Sequence, residues 1–304
     1  MADLAKLISP EILTATVTRA AAAKRRVDGF ENETATSAWT GLGRSDVADR
    51  LRELVDTPAK VNQGALGLCG PAAFMYCFLC RDPVRFVETA FSLYDGGQAI
   101  IGNITLAPGS KLKSQDYTGV AVPAMSKSKN VANPVCGSAE WMFLCSVQDL
   151  IKSGYSGLPD GADMWSSEGV GMQDLMSLYQ SSGLYKNVVL QTADRVNWNE
   201  VRTLRALAPS SSKDVILGVN SKIIQNQPDL LKLLGTNAQY GWNHYVVLNK
   251  QVAADKNDPT SLSLDVWSWG GNYPMTTPAS MVVAYFYGAI VAEVYQWPPP
   301  TPPP

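Results

Sequence analysis

The chain has 304 residues, of which 46% are hydrophobic and 17% are charged. These fractions are typical of a globular protein with a sizeable core, and they exclude a largely disordered chain. The net charge is −2 and the basic residues are scattered, so composition argues against a nucleic-acid-binding protein.

The N-terminal residues lack the charged start and the continuous apolar stretch of a secretory signal peptide. The longest apolar run, residues 281–294, is shorter than the roughly 18 residues that cross a bilayer, and we interpret it as a buried pair of strands. We therefore expect a protein that is made in the cytoplasm and has no membrane partner.

The first half of the chain is predicted to be largely helical. Good helix formers or apolar residues at helical spacing occupy residues 4–27, 45–56, 70–80, 82–94, 138–153 and 171–182. The segment 70–80 is apolar on every face, which is typical of a buried helix. Residues 102–135 are rich in Gly, Pro, Ser and Lys, and we expect an irregular excursion there.

The second half follows a different pattern, with runs that predict β-strands at residues 186–193, 214–224, 245–250 and 261–269. A helical half followed by a strand-rich half predicts an α+β fold. We divide the chain into an N-terminal helical segment (1–60), a helical subdomain (61–185), a β-sheet subdomain (186–296) and a disordered Pro-rich tail (297–304).

The five cysteines are Cys69, Cys77, Cys80, Cys136 and Cys145. Their odd number and the length of the chain argue against a disulfide framework. The spacing of Cys77 and Cys80 is compatible with a zinc ligand pair, but a zinc ribbon needs a second such pair and the chain has none. We interpret these two as buried free thiols and expect no metal or other cofactor.

Cys69 stands at the predicted start of the buried helix, with Pro71 in the first turn. A helix N-terminus carries a partial positive charge and unpaired N–H groups, and both favour a thiolate over a thiol. Full activation requires a cation beside the sulfur, and His244 is the only histidine in the chain that could supply one and act as the base. His244 directly precedes a predicted strand, and Gly241 and Asn243 indicate a turn before it.

A third group is needed to orient the far ring nitrogen of the histidine. Asp265 lies in the next predicted strand, where it shares a face with Ser263 and Trp267 by the alternation of side chains. A carboxylate among apolar residues in a strand needs a partner, and the His244 ring would provide one. Asp265 is therefore the predicted orienting residue.

Two short motifs resemble the papain-type cysteine proteases. The first is Asn62-Gln63-Gly64-x-x-Gly67-x-Cys69, which resembles the motif around the nucleophile of that family, and the second is Ser268-Trp269-Gly270, which resembles the motif after the catalytic histidine. The order of the motifs matches as well. The resemblance implies a helical domain with a central Cys-bearing helix, packed against an antiparallel β-sheet domain across a cleft.

The resemblance also implies roles for individual residues. Cys69 would be the nucleophile, His244 the base, and Gln63 an oxyanion donor together with the Cys69 backbone N–H. The sequence departs from the family at Trp267, which takes the place of the usual orienting Asn, and at Gly70, which takes the place of the usual Trp. Asp265 is our substitute for the missing Asn.

The predicted reaction is acyl transfer through a thioester, with a protein as the substrate. A glutamine deamidase or transglutaminase could use the same residues on a side-chain amide, and a catalytically silent binding module is the third interpretation. The departures from the family are those of divergent bacterial effectors and toxins. That interpretation implies export by a system that reads no N-terminal signal, and a small immunity protein that covers the cleft in the producing cell.

Overall fold

The computed structural model describes residues 10–127, 135–159, 169–192, 199–220, 223 and 244–295. Within these ranges the chain forms helices first and an antiparallel sheet second, so the predicted α+β class is confirmed. The Pro-rich tail at 297–304 and the predicted turn at Gly241 and Asn243 lie outside the described residues.

The helices occupy most of the segments that apolar spacing predicts. They are α1 (Pro10–Glu31), α2 (Arg44–Asp56), α3 (Cys69–Arg81), α4 (Pro83–Gly96), α5 (Ser110–Lys113), α6 (Val122–Ser126), α7 (Ser138–Ile151), α8 (Met172–Ser181), α9 (Asn199–Ala206) and α10 (Ala279–Tyr285). Local signals set the limits of α4. Asp82 accepts a hydrogen bond from the Arg85 backbone N–H, Pro83 begins the first turn, and Gly97 ends the helix in the left-handed conformation.

The strands are β1 (Ala99–Ile101), β2 (Ile104–Leu106), β3 (Tyr185–Thr192), β4 (Lys213–Val219), β5 (His244–Leu248), β6 (Ala253–Ala254), β7 (Ser261–Ser268), β8 (Gly271–Pro278) and β9 (Phe286–Val294). β1 and β2 form a small hairpin at the start of the predicted irregular excursion, which contains β2 but not β1. The other strands form one antiparallel sheet with the order β3-β9-β4-β5-β7-β6, and β8 pairs with the other edge of β7.

One face of the sheet packs against the helical layer. The core on this side runs from Ala23 in α1 through the buried residues of α3 and α7 to Tyr245 and Trp267 of the sheet. The helices before and after residue 60 therefore share a single core. α3 lies in the middle of it, with nine of its residues buried, as its uniformly apolar sequence predicts.

The opposite face of the sheet has its own core. Val246 and Leu248 of β5 lie there with Leu204 of α9 and Val282 of α10. The interpretation of residues 281–294 as two strands is wrong, because the run begins inside α10 and becomes a strand only at Phe286. A short apolar run is compatible with either element, so periodicity alone does not separate them.

None of the helices in the described ranges has the length and apolar character needed to cross a membrane.

Candidate active site

Cys69 is the first residue of α3 and is partly exposed, whereas most of the helix behind it is buried. Leu68 occupies the N-cap position and makes no side-chain capping bond. The backbone N–H groups of the first turn and the helix dipole therefore act next to the thiol without a capping side chain at Leu68 to offset them. The predicted position of the thiol, at the N-terminus of a buried helix, is the observed one.

Gly70, which follows Cys69 and is one of the departures from the papain motif, lies against Tyr245 and Val170. A Cβ atom on Gly70 would lie 3.4 Å from a ring carbon of Tyr245 and 3.4 Å from Cβ of Val170. The Tyr245 hydroxyl donates a hydrogen bond of 3.0 Å to the Val170 carbonyl oxygen, so both neighbours of Gly70 are also joined to each other. The Tyr245 ring therefore lies in van der Waals contact with this position.

Tyr245 connects the start of α3 with the start of β5. Burial, and then the charge of a Cys69 thiolate, raise the pKa of Tyr245 well above its usual range. The phenol therefore stays protonated and remains a donor to Val170. Since His244 directly precedes Tyr245, the contact between Gly70 and Tyr245 brings the candidate nucleophile and the candidate base to the same junction.

His244 is the first residue of β5 and pairs with Val219 of β4. Side chains alternate along a strand, so its ring projects to the face of Val246, opposite to that of Tyr245. The residue is buried, with 2% of its surface exposed. The backbone of His244 thus lies near the start of α3, whereas its imidazole lies in the second core, on the opposite face of the sheet.

Two neighbours hold the His244 ring. Its Nε2 atom forms a 2.7 Å hydrogen bond with Oγ of Ser268, a residue that is itself buried. The indole of Trp269 stacks on the imidazole with 3.9 Å between ring centroids and 13° between ring planes. These contacts fix the ring plane and one nitrogen, so chemistry towards a reacting group would use Nδ1.

Trp269 is held in place by a two-residue turn. Ser268 pairs with Gly271, and Trp269 and Gly270 between them have φ values of 35° and 75°. Positive φ at both central positions is the mark of a type I′ hairpin turn. A bulky side chain is uncommon in this conformation, and such outliers concentrate at functional sites. Here the turn places the indole on the His244 ring.

Burial determines the protonation of the ring. Desolvation lowers the pKa of His244 to about 3, because the charged form would lose its hydration inside the core. The imidazole is therefore neutral near pH 7. The sequence led us to expect a cation beside the sulfur, and the structure corrects this expectation, since the ring can accept a proton during a reaction but does not carry one beforehand.

Gln63 lies in the loop before α3 and is buried. Its amide Nε2 donates a 2.7 Å hydrogen bond to the Leu66 carbonyl oxygen, which holds the side chain within the loop. An amide group has two N–H donors, so one remains for a substrate oxygen. Gly64 follows with φ +58°, a conformation that favours glycine, and its N–H donates to the Asn62 side chain.

The Gln63 loop also touches the hairpin turn. A Cβ atom on Gly270 would lie 3.1 Å from Nδ2 of Asn62. Trp267, two residues before the turn residue Trp269, donates its indole N–H to the Ala59 carbonyl oxygen at 2.9 Å. Contacts thus connect the Gln63 loop to the hairpin turn, the turn to His244, and β5 to the start of α3. We call this connected set of contacts the circuit. Three of the four predicted site residues lie on this circuit.

Asp265 does not lie on it, and its predicted role is corrected. Its carboxylate accepts a hydrogen bond from Asn249 at 3.0 Å and pairs with Lys250 at 2.8 Å. The backbone N–H of Asn249 bonds to the Asp265 carbonyl oxygen, so Asp265 lies opposite a position five residues beyond His244, about 16 Å along the strand. The two side chains also project to opposite faces of the sheet.

Ser268 is the residue that contacts the ring instead. Strand register explains the difference, because Trp267 pairs with Val247 and faces α3, where it stacks on Tyr76. A shift of one residue places a side chain on the other face, so Ser268 shares the face of His244. The sequence motif contains Ser268, but a buried serine beside two tryptophans carries no local signal that it would contact a distant histidine.

The remaining cysteines have other surroundings. Cys77, Cys136 and Cys145 are buried and, like Cys69, are not in disulfides, whereas Cys80 is exposed and so departs from the buried position that we expected. In the described part of the chain no cluster of three or more His, Cys, Asp or Glu side chains is arranged to hold a metal ion.

Comparisons with protein-family models, with curated proteins and with solved structures find no match to this chain.

Proposed function

We propose that the protein is a papain-like cysteine protease that cleaves protein substrates through a Cys69–His244 pair. The observation that carries the proposal is the stack of Trp269 on His244, with the Ser268 bond to Nε2. It supports the role that the Ser-Trp-Gly motif implies, because the motif residues lie on the one imidazole of the chain and leave its Nδ1 atom for chemistry.

The proposed reaction begins with a neutral thiol and a neutral ring. His244 donates its Nε2 proton as a hydrogen bond to Ser268 and removes the Cys69 proton with Nδ1 as the sulfur attacks the carbonyl carbon. The imidazolium then protonates the leaving amine, and a thioester remains on Cys69. Water, deprotonated by the same nitrogen, hydrolyses the thioester and restores the thiol.

The reaction requires Nδ1 to meet the sulfur at the junction of the two elements. Cys69 and His244 are each the first residue of their element, and their neighbours Gly70 and Tyr245 are in contact. The ring therefore has to reach the thiol around the start of β5. The N–H of Cys69 and the second N–H of Gln63 would stabilise the oxyanion, and loss of one such donor typically reduces turnover by about 100- to 1,000-fold.

Wild-type protein and the Cys69→Ala variant are incubated with a whole-cell lysate, and new peptide termini are then labelled and identified by mass spectrometry. We expect new termini with the wild type alone. The matched control is Cys80→Ala, which removes the exposed thiol at the other end of the same helix and should leave cleavage unchanged.

Other outcomes contradict the proposal. A gain of about one dalton at glutamine side chains without new termini would indicate a deamidase, and intact masses throughout would indicate a binding module. Equal cleavage by the Cys69→Ala variant would assign the activity to a contaminant.

The toxin interpretation belongs to the same proposal and has its own test. If the protein is an interbacterial effector, expression of the wild type alone should slow growth of a bacterial host, whereas Cys69→Ala should be harmless. Co-expression of an immunity protein that covers the site should restore growth. Equal toxicity of wild type and variant would contradict a toxic protease.

A further inference from the structure

A cavity of about 380 Å³ lies beside the circuit of contacts described above. The residues that line it and bear on the argument are Arg50, Lys60, Asn62, Tyr117, Gly137 and Gly270. Pockets that bind small molecules begin at about 300 Å³, so the space is sufficient for a side chain of a peptide substrate. Two of the lining side chains are cations and none is a carboxylate.

The carboxylates that pair with these cations are not among the lining residues. Glu140, which is fully buried, accepts hydrogen bonds from Arg50. Glu53 bonds to both Arg50 and Lys60. These ion pairs fix the guanidinium of Arg50, which leaves it little freedom to move towards a ligand.

Lys60 has more freedom than Arg50. Its side chain is half exposed and makes one hydrogen bond of 2.7 Å, to Glu53. An ammonium group has three donors, so Lys60 can bind a further acceptor without giving up Glu53. Among the charged groups at this cavity, Lys60 is therefore the one best able to bind an incoming carboxylate.

The position of the cavity relates it to one side of the scissile bond. Asn62 precedes Gln63, and Gly270 follows Trp269, so both candidate catalytic loops contribute to its wall. In the proposed reaction His244 protonates the leaving amine, which places the departing half of the substrate beside His244 and the Trp269 that covers it. The cavity therefore lies on the leaving-group side.

We infer that this cavity binds an acidic side chain of the protein substrate, on the leaving-group side of the scissile bond, with Lys60 as the specificity-determining residue. The inference rests on the proposed protease function. A glutamate or aspartate near the new N-terminus would enter between Lys60 and Asn62, and its carboxylate would meet a positive potential.

The test compares peptides that carry Glu, Gln or Lys at the first few positions after the scissile bond. We expect kcat/KM to be about fivefold higher for Glu than for Gln, the size of one partly exposed charge contact. Lys60→Met should bring the two rates close together, and Lys60→Glu should favour the Lys peptide. Raising salt from about 0.05 M to about 0.5 M should weaken the wild-type preference.

Lys24→Glu is the matched control, because Lys24 is also a partly exposed lysine that pairs with a carboxylate of α2, Asp56. This variant should keep the wild-type preference for Glu. A preference that survives in Lys60→Glu, a preference for Glu before the scissile bond, or equal rates for Glu and Gln would each overturn the inference.

Failure of the protease proposal can be told apart from failure of this inference. If the wild type cleaves none of the peptides, binding of the same peptides to the Cys69→Ala variant is measured by fluorescence anisotropy. Tighter binding of the Glu peptide, lost in the Cys69→Ala, Lys60→Met double variant, would support the acidic subsite without any cleavage. Equal binding of the Glu and Gln peptides would overturn it.

Discussion

The two halves of the candidate site hold their reacting groups in different ways. Cys69 is placed by its helix, as the first residue of an element whose body is buried in the first core. His244 is placed by side chains, through a hydrogen bond to Ser268 and a stack with Trp269. The first arrangement depends on packing of the whole helical layer, and the second depends on one hairpin turn.

This difference has a consequence for mutagenesis. A change inside α3 alters the core and therefore the stability of the fold, because that helix is buried over most of its length. A change at the hairpin alters the orientation and protonation of one ring. The sheet half is thus the part of the site where function and stability can be separated.

The largest effect is expected at the ring itself. His244→Gln removes the base but retains a polar side chain that can bond to Ser268, so turnover should fall by a factor of about 10⁴ or more, because nucleophile and base act as a unit. Cleavage assays would measure the loss, and circular dichroism would check the fold. Cleavage within about tenfold of the wild type would contradict the pair.

The buried ring should also make stability depend on pH. Its pKa is about 3 in the folded protein and about 6.5 when unfolded, so between these values only the unfolded chain binds the proton. The contribution of the neutral ring to the free energy of unfolding is therefore complete above pH 6.5 and is lost as the pH falls. This one group should lower the free energy of unfolding by about 2 kcal/mol when the pH falls from 7.5 to 5.

Urea unfolding of the wild type and His244→Gln at both pH values would measure this contribution as the difference between the two proteins. Carboxylates such as Asp255 and Asp258, whose pKa values are lowered by hydrogen bonds, also lose stability in acid. They are present in both proteins and cancel. Identical pH dependence of the two proteins would show that the ring is not buried in a neutral form.

The helical half could be predicted from sequence because its signals are local. The apolar faces of residues 70–80, the Pro at the first turn and the Gln63 offset all lie within about one helix length of Cys69. The strands β3, β4, β5 and β7 were also predicted, within a few residues of their observed bounds. In each case the hydrophobic pattern of the segment determines its structure.

The sheet half could be predicted only in part, because strand register is a non-local property. β8 was not predicted as a strand, since GNYPMTTP contains two prolines and few apolar residues, and it forms because β7 provides a partner. Without β8, the sequence does not reveal the turn at Trp269. It also does not reveal the face of the sheet to which Ser268 projects. Asp265 was chosen on side-chain alternation alone, which does not reveal which face His244 takes.

The two candidate orienting residues can be compared directly. Ser268→Ala removes the bond to Nε2 of His244 and should lower kcat about tenfold, the worth of one buried hydrogen bond. Asp265→Ala, which breaks bonds only to Asn249 and Lys250, should leave kcat within about twofold and is the control. The opposite ranking would return the orienting role to Asp265.

The smallest effect concerns the backbone of the hairpin turn. Trp269→Ala and Trp269→Gly both remove the indole from the His244 ring, and both should lose stability and activity. The two variants differ in backbone cost. Position 269 has φ 35°, a conformation that glycine adopts without steric cost and alanine does not. The Gly variant should therefore be more stable than the Ala variant by about 1 kcal/mol, the reverse of their usual order. Thermal unfolding of the two variants would measure this difference. A more stable Ala variant would mean that the turn relaxes once the indole is removed. The stack on His244, and not the hairpin, would then determine the backbone conformation at position 269.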